Sequence, residues 1–409
     1  MNKYSIIQLA DRLNCTGCAS CAQSCPHSAI EMMQDEEGFL QPIINRDLCV
    51  ECGLCMKRCP MLNPISISTE ESNVYALINY KDRAVSSSGG AFSVFADYVI
   101  EKGGVVFGAA IDDDFQVMHI GVEDEKNLTL LRGSKYVQSK IGNSYKQARE
   151  FLKQGRLVLF TGTPCQIAGL YAFLGKERYE ENLITIDLVC HGVPSQGVFD
   201  AYIDKLKKTN RFKGENIKEF RFRKLDSWDY RPAVKLAESK WHTLNVVENA
   251  YMSAFFCGLT FRESCFRCKY CNTQRVGTFT IADFWGIGRH GKKFDRNVAC
   301  GISLVIDNKK KLLMLSKDFP DDVYIERRTM EEAVAEQSNL IAPMQRSKKR
   351  DFTVKSLINP NDSLEDFLRI CGLPYKSNWI NRVKSAAKSV IYALGLYNVY
   401  KTIIYKMGK

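Results

Sequence analysis

The 409-residue chain has no run of the roughly 18 uninterrupted apolar residues that a membrane span needs, so no helical crossing is expected. Its opening, "MNKYSIIQLADRLN", holds no apolar core run and no small-residue cleavage site, and does not read as a signal peptide. No helix-turn-helix, zinc-finger or aromatic RNA-binding signature accompanies the net charge of +11, so no nucleic-acid partner is expected. Acidic proteins, anionic cofactors and an anionic membrane face remain as partners for that charge. Histidine is scarce, at five residues. No low-complexity tract breaks a composition of 45% hydrophobic and 25% charged residues, which is that of a folded chain long enough for two or three domains. The expected location is the cytoplasm, where reducing conditions disfavour structural disulfides. Against these absences stand sixteen cysteines, and thiols in that setting point to metal.

Eight of them fall in two runs, "CTGCASCAQSCP" (Cys15 to Pro26) and "CVECGLCMKRCP" (Cys49 to Pro60), both C-x2-C-x2-C-x3-C-P. Soft thiolates at this spacing suit iron–sulfur clusters, because a short loop can curl three sulfurs round one face of a cubane. In two-cluster ferredoxins the fourth cysteine of each run serves the other cluster. The spacing therefore assigns Cys15, Cys18, Cys21 and Cys59 to one [4Fe-4S] centre, and Cys49, Cys52, Cys55 and Cys25 to a second. Structural zinc is the alternative, but zinc knuckles usually pair two C-x2-C elements at longer separation. Between the runs, two short strands are expected around a turn near Gly38.

After a Ser/Pro-rich stretch, "PMLNPISISTEES", the pattern becomes α/β. "VYALINY" and "GGVVFGAAID" read as strands, with "GGAFSVFADYVIEKG" a helix between them. "RLVLFTGTPCQIAGLYAFLG" reads strand–loop–helix and "LITIDLVCHGVPS" strand–loop. Three loops carry chemistry. "SSSGGAFS" sets hydroxyls and two glycines ahead of a helix, either to cradle a phosphate or the polar edge of a flavin, or simply as a helix cap. "TGTPCQIAGL" sits at a strand's carboxyl end, where α/β sheets bind ligands, although Pro164 also suits an ordinary first turn. "DLVCHGVPS" holds His191, a proton-exchanging group near neutral pH or a packed ring. Further on, Cys265, Cys268 and Cys271 in "FRESCFRCKYC" supply three ligands for another cluster. Asp283 and Trp285 follow the strand-like "TFTIA", placed either to orient and wall a ligand or as core and surface.

Taken in order from Ser86 to Gly288, "SSSGGAF", "GSKYVQS", "TGTPCQIAGL", "DLVCHGVPS", "RESCFRCKY" and "TIADFWGIG" resemble the β-subunit family of coenzyme F420-reducing hydrogenases and dehydrogenases, whose kin include the plant hydroxymethyl-chlorophyll reductase. The resemblance implies FAD and a third [4Fe-4S] cluster beside it. It implies Ser87, Ser88, Gly89, Gly90, Ser134, Lys135, Thr163 and Gln166 as flavin-binding residues, with Lys135 pairing a phosphate or the charge of the reduced ring. His191 and Asp283 are the catalytic candidates. The family's cysteines map onto Cys165, Cys190, Cys265 and Cys268, with Cys271 a rival and Cys257 a weaker one. Cys300 and Cys371 read as ordinary buried thiols.

The expected fold is an α+β ferredoxin-like dicluster module over 1–65, a linker over 66–73, an α/β flavin-binding domain over 74–375 and a basic helical tail over 376–409. The tail has apolar residues from Trp379 to Leu394 at helical spacing and no acid after Asp366. It reads as a helix docked on the domain or a partner, or as a peripheral contact with the inner membrane face. The expected function is an iron–sulfur flavoprotein oxidoreductase. It passes electrons between ferredoxin, or another redox protein, and a hydride-accepting coenzyme or small organic substrate. The alternative is a non-catalytic electron-transfer subunit with partner subunits in a larger complex.

Overall fold

The computed structural model describes residues 7–65, 67, 71–175, 179, 181–224, 228, 230–237 and 240–374. The basic tail expected over 376–409 lies outside them.

In the first module, β1 (Ile30–Gln34) and β2 (Leu40–Ile44) pair antiparallel, Ile30 opposite Ile44, around the expected turn at Gly38. The Asp35 carboxylate closes that turn by accepting from the backbone N–H groups of Glu37 and Phe39, each at 3.0 Å. Each cysteine run bends in the same way. Gly17 and Ala19 flank Cys18 with φ of 66° and 60°, and Glu51 and Gly53 flank Cys52 with φ of 55° and 72°. Two left-handed residues around the second cysteine wrap the chain about a centre, and a short helix then starts, α1 (Ser20–Ser24) or α2 (Leu54–Lys57). The duplication is thus one of backbone conformation as well as of spacing.

The larger part is built on eight strands. These are β3 (Asn73–Asn79), β4 (Val105–Ile111), β5 (Val117–Val122), β6 (Val158–Gly162), β7 (Leu183–Leu188), β11 (Phe279–Asp283), β12 (Ser303–Asp307) and β13 (Val323–Arg328), in the spatial order β13-β3-β12-β11-β7-β6-β4-β5. The centre, β4-β6-β7-β11, is parallel, and antiparallel strands close both edges. Central strands covered on both faces read as continuous apolar runs, as "RLVLF" and "LITI" do. Leu159 of β6 faces the core formed with α3 (Ala91–Glu101), while Val158 and Phe160 face α5 (Ser144–Lys153) and α6 (Pro164–Leu174). Helix α4 (Glu125–Leu131) packs beside α3. Ala19 and Met32 of the first module join the α5/α6 core, so the two modules share one apolar layer.

A further layer has no counterpart in the sequence reading. A three-stranded antiparallel sheet, β8 (Ile217–Arg221), β9 (Ala233–Leu236) and β10 (Trp241–Thr243), packs with α7 (Gln196–Lys207), α8 (Ala250–Phe256) and the helices Arg350–Ile358 and Leu364–Cys371 in a phenylalanine- and tyrosine-rich cluster. Strand β3 starts at Asn73, the last residue of the expected linker.

Candidate redox site

Two small apolar hollows lie inside the first module, each of about 20 Å³. One is lined by Cys15, Cys18, Cys21 and Cys59, the other by Cys25, Cys49, Cys52 and Cys55. The last cysteine of each run therefore faces the hollow of the other. In the first, Cys15, Cys18 and Cys59 are buried, whereas in the second Cys52 is exposed. Burial, with neighbouring thiols adding to it, pushes the Cys18 thiol up to about 12 and that of Cys21 higher still. Such a nest holds thiolates only when a cationic metal core compensates their charge, so the donor set fits an iron–sulfur group.

A third set of thiols converges where three segments meet. Cys165 lies in the first turn of α6, Cys190 in the loop after β7, and Cys265 and Cys268 in or beside the 3₁₀ turn Glu263–Arg267. Burial lifts Cys165 to about 11 and Cys265 to about 12, and carries Cys190 well above the ordinary range. In each case Cys268, with further members of the set for Cys190 and Cys265, pushes the same way. Cys268 is also raised, first by its contact with Cys271 and then by burial. Cys271 thus stays beside the set, whereas Cys257 is exposed at the end of α8 and interacts with Cys371. Cys371 is buried as expected, but Cys300 is only half-buried.

Positioning of this set falls to a buried ion pair. Asp187, at the carboxyl end of β7, accepts from Arg275 Nη2 at 2.8 Å and from the backbone N–H groups of Val276 and Gly277 at 3.0 and 2.8 Å. Arg275 in turn donates to the carbonyls of Tyr270 and Leu188 at 2.6 and 2.8 Å. The pair therefore ties the loop of Cys265 and Cys268 to that of Cys190.

A cavity of about 290 Å³ opens beside Cys190, at the carboxyl ends of β6, β7 and β11 and under the serine loop that follows β3. This is the edge of an α/β sheet where ligands bind. Ser87, Ser88, Gly90, Ser134, Lys135, Thr163, Gln166, His191 and Asp283 all line it, as do Cys190 and Trp285. Gly89 does not. A Cβ there would meet Leu77 O at 2.3 Å and Ser303 N at 2.4 Å, so Gly89 lets the loop lie against β3 and β12. Aromatic rings close one side, with Tyr136 edge-on to Phe255 at 4.8 Å, Tyr230 edge-on to Phe256 at 4.7 Å, and Trp285 stacked on Trp228 at 4.4 Å.

Most polar groups of the cavity are already engaged. Ser87 Oγ accepts from Ser134 N at 3.0 Å, and Ser88 Oγ donates to Ile302 O at 3.0 Å. Gln166 Oε1 accepts from Thr163 N and Thr163 Oγ1, both at 3.0 Å, while its Nε2 donates to the carbonyl and hydroxyl of Ser139, both at 3.1 Å. Beneath them His119 bonds Thr161 O through Nε2 and Ser139 Oγ through Nδ1, each at 2.8 Å. A carbonyl only accepts, so Nε2 carries the proton, and burial lowers His119 to about 4, which keeps the ring neutral. His119 carries no motif. Its one signal is its inward position on an alternating strand, "VMHIGV".

Asp283 has a different place from that of a free acid or base. Its carboxylate accepts from Arg223 Nη1 at 2.7 Å, Trp228 Nε1 at 2.6 Å and Tyr230 OH at 3.3 Å. It is a positioning residue that holds a guanidinium and a phenol at the cavity wall. His191 has no hydrogen-bond partner among the described residues, and burial lowers its pKa, so it faces the cavity as a neutral ring. Lys135 donates to the carbonyls of Leu130 and Arg132 at 3.0 and 2.8 Å, and burial lowers its ammonium to about 7. A cation held, among the described residues, by carbonyls alone suits an anionic ligand.

The first module is clamped to this region by Arg262, buried to 1% exposure. Its Nε donates to Cys15 O at 2.7 Å, Nη2 to Leu40 O at 2.9 Å and Nη1 to Gln138 Oε1 at 3.0 Å. Arg58 Nη1 adds a bond to Ala172 O at 3.1 Å. Gly169, on the helix that begins beside Cys165, allows a close approach to Cys18. A Cβ there would sit 2.8 Å from Cys18 Cβ and 3.1 Å from its sulfur. The buried hollow thus lies beside Cys165, and the set to which Cys165 belongs reaches the cavity at Cys190.

Comparison with known proteins agrees with this division. Residues 14–62 match the family described as a 4Fe-4S dicluster domain, and residues 155–333 match the family described as the C terminus of the coenzyme F420 hydrogenase/dehydrogenase beta subunit. The chain is thus an iron–sulfur electron-transfer protein with a segment similar to the C terminus of the coenzyme F420 hydrogenase/dehydrogenase beta subunit. It is 23% identical over 222 residues, 54% of its length, to the coenzyme F420-dependent sulfite reductase of Methanocaldococcus jannaschii, and the match spans 34% of that relative. It is 24% identical over 229 residues, 53% of its length, to one subunit of the F(420)H(2) dehydrogenase of Methanosarcina mazei, spanning 64% of it. Among solved structures, a chain of the F420-reducing [NiFe] hydrogenase complex from Methanosarcina barkeri superposes with a TM-score of 0.42 at 13% identity, covering 73% of this chain and 93% of that one. No helix among the described residues is long and apolar enough to cross a membrane.

Proposed function

We propose that the chain is an iron–sulfur flavoprotein oxidoreductase of the cytoplasm. Electrons from ferredoxin or another redox protein reach FAD in the 290 Å³ cavity through three [4Fe-4S] clusters. The observation that carries this reading is the placement of Cys190 and His191, adjacent in sequence, on the wall of a cavity that backs onto a converging thiol set. Cys15, Cys18, Cys21 and Cys59 hold one cluster, Cys25, Cys49, Cys52 and Cys55 the second, and Cys165, Cys190, Cys265 and Cys268 the third. When bound, FAD supplies exchange between single electrons and a two-electron hydride. The chain's own residues do the rest. Lys135 and the backbone of the serine loop neutralise anionic charge, the aromatic wall excludes water, and Asp283 holds Arg223 and Tyr230 in place. His191, neutral and without a hydrogen-bond partner among the described residues, is the group free to give or take a proton at the cavity. The substrate is a hydride-accepting coenzyme or small organic molecule.

Anaerobic purification with iron, sulfide and flavin measured together tests the reading. About twelve irons and one FAD per chain are expected from three four-iron clusters. About eight irons would remove the third cluster, and absence of flavin would remove the cavity assignment. A second reading, a transfer subunit without its own substrate, is favoured by the relative described as a dehydrogenase subunit. Turnover of a small substrate by the isolated chain with reduced ferredoxin excludes it. Activity only after a partner subunit is added supports it.

A further inference from the structure

The two hollows differ at one matching position. In the first run the residue after the leading cysteine is Thr16, and in the second it is Val50. Both line their hollows. Thr16 is only 9% exposed, and its hydroxyl has no hydrogen-bond partner among the described residues. Its backbone is fixed, because Gln138 Nε2 donates to Thr16 O at 2.7 Å. A buried hydroxyl left without a partner costs about 1–3 kcal/mol, so its retention points to an acceptor. The hollow it lines holds only sulfur as an acceptor from side chains, that of its four cysteines and of two methionines. Val50, by contrast, is 60% exposed, and the exposed Glu51 is among the residues lining its hollow.

Reduction adds one negative charge to a cluster. Burial opposes that charge, hydrogen bonds to sulfur favour it, and a nearby carboxylate disfavours it. On burial alone, the group held by Cys15, Cys18, Cys21 and Cys59 would be the harder to reduce. We propose that Thr16 reverses this order, donating its hydroxyl hydrogen to a sulfur of that group and raising its potential above that of the group held by Cys25, Cys49, Cys52 and Cys55. The proposal rests on the two hollows being cluster seats. A single electron then leaves a reduced ferredoxin-class carrier for the exposed cluster beside Cys52 and passes from it to the buried one. The exposed cluster is oxidised as the buried one is reduced, and no proton moves. Thr16 is a tuning residue that gives the relay its inward direction.

The test is a redox titration of the full chain, purified anaerobically and followed by electron paramagnetic resonance, with iron and sulfide measured on each sample. Thr16→Val keeps the shape and removes the donor. One midpoint should shift to lower potential, the others should stay, and iron content should match the wild type. Thr16→Ser keeps the donor and should titrate like the wild type. Unmoved midpoints in Thr16→Val, or an equal drop in Thr16→Ser, overturn the proposal. Should Thr16→Val fail to retain iron, Thr16→Ala, which also removes the donor, takes its place, a lowered midpoint supporting the proposal and an unmoved one overturning it. A wild-type chain that lacks the two clusters is a different failure, read from iron content before any titration.

Discussion

The thiol-lined hollows and the sheet-edge cavity are built by opposite means. Each hollow takes three of its four thiols from one short run, bent by a pair of left-handed residues, and needs little else. The cavity gathers side chains from the ends of several strands and from loops far apart in the chain, and most of its polar atoms are spent on one another. A metal cage is specified by spacing, and a cofactor cavity by tertiary contact. The seam between them, Arg262 and Gly169, belongs to neither motif and decides whether they act together.

The sharpest way to break the comparison is at that seam. Arg262→Ala should leave every thiol in place and still detach the first module, because three acceptors, Cys15 O, Leu40 O and Gln138 Oε1, lose a charged donor. Removing such a buried donor should cost about 4 kcal/mol. Urea unfolding should show the loss, with a separate transition for the first module. An unchanged single transition would mean that the modules are held by something else.

The cavity's own network should fail next, and through acid. Burial lowers His119 from 6.5 to about 4, so below pH 6.5 the unfolded chain takes up a proton that the folded chain refuses. The stability tied to the neutral ring is complete above pH 6.5 and drains away as pH falls toward 4, by about 3 kcal/mol in all. His119→Gln should lack this acid-sensitive component in unfolding curves recorded between pH 7 and pH 4. The histidine at the hollows of the first module, His27, is exposed and not buried as His119 is, so their iron should not follow the same profile. Gly169→Ala comes after it. The added methyl meets Cys18 and the Tyr145 hydroxyl, both at 2.8 Å, and overpacking of that kind costs about 1–3 kcal/mol. Slower electron transfer from the first module, with iron content unchanged, is the expected readout.

The same contrast explains what could be read from sequence. Cys25 and Cys59 stand across from their own runs because C-x3-C-P spacing carries the fourth thiol past the turn, a property of a few consecutive residues. The strand-ending loops at Thr163, His191 and Asp283 were legible because apolar runs of strand length end there. Arg223, His119 and Arg262 were not, since each acts on residues distant in the chain. Asp283 was visible as a polar group at a strand end, but not its engagement by Arg223, Trp228 and Tyr230, all of which lie between β8 and β9 of the small sheet that no pattern announced. Gly89 looks like part of a phosphate cradle because its neighbours line the cavity, and only the approach of β3 and β12 shows otherwise.

The smallest expected effect tests whether the cavity takes an anion at all. Burial brings Lys135 down to about 7, with carbonyls alone as partners among the described residues, so near neutral pH it is partly uncharged. An anionic group bound beside it favours the protonated form, and binding then takes up a proton above pH 7. FAD affinity should therefore fall as pH rises from 7 toward 9, by up to about tenfold per unit. Without ligand the sign for folding is the reverse. The unfolded chain holds the lysine proton up to its ordinary pKa of 10.5 while the folded chain releases it near 7, so the ligand-free protein gains stability as pH rises between those values. Lys135→Met should flatten both profiles and weaken FAD binding at pH 7 by about 1 kcal/mol. Fluorescence titration of flavin-depleted protein across that pH range measures the first, and an affinity that rises with pH in the unaltered chain would show that Lys135 meets no anion there.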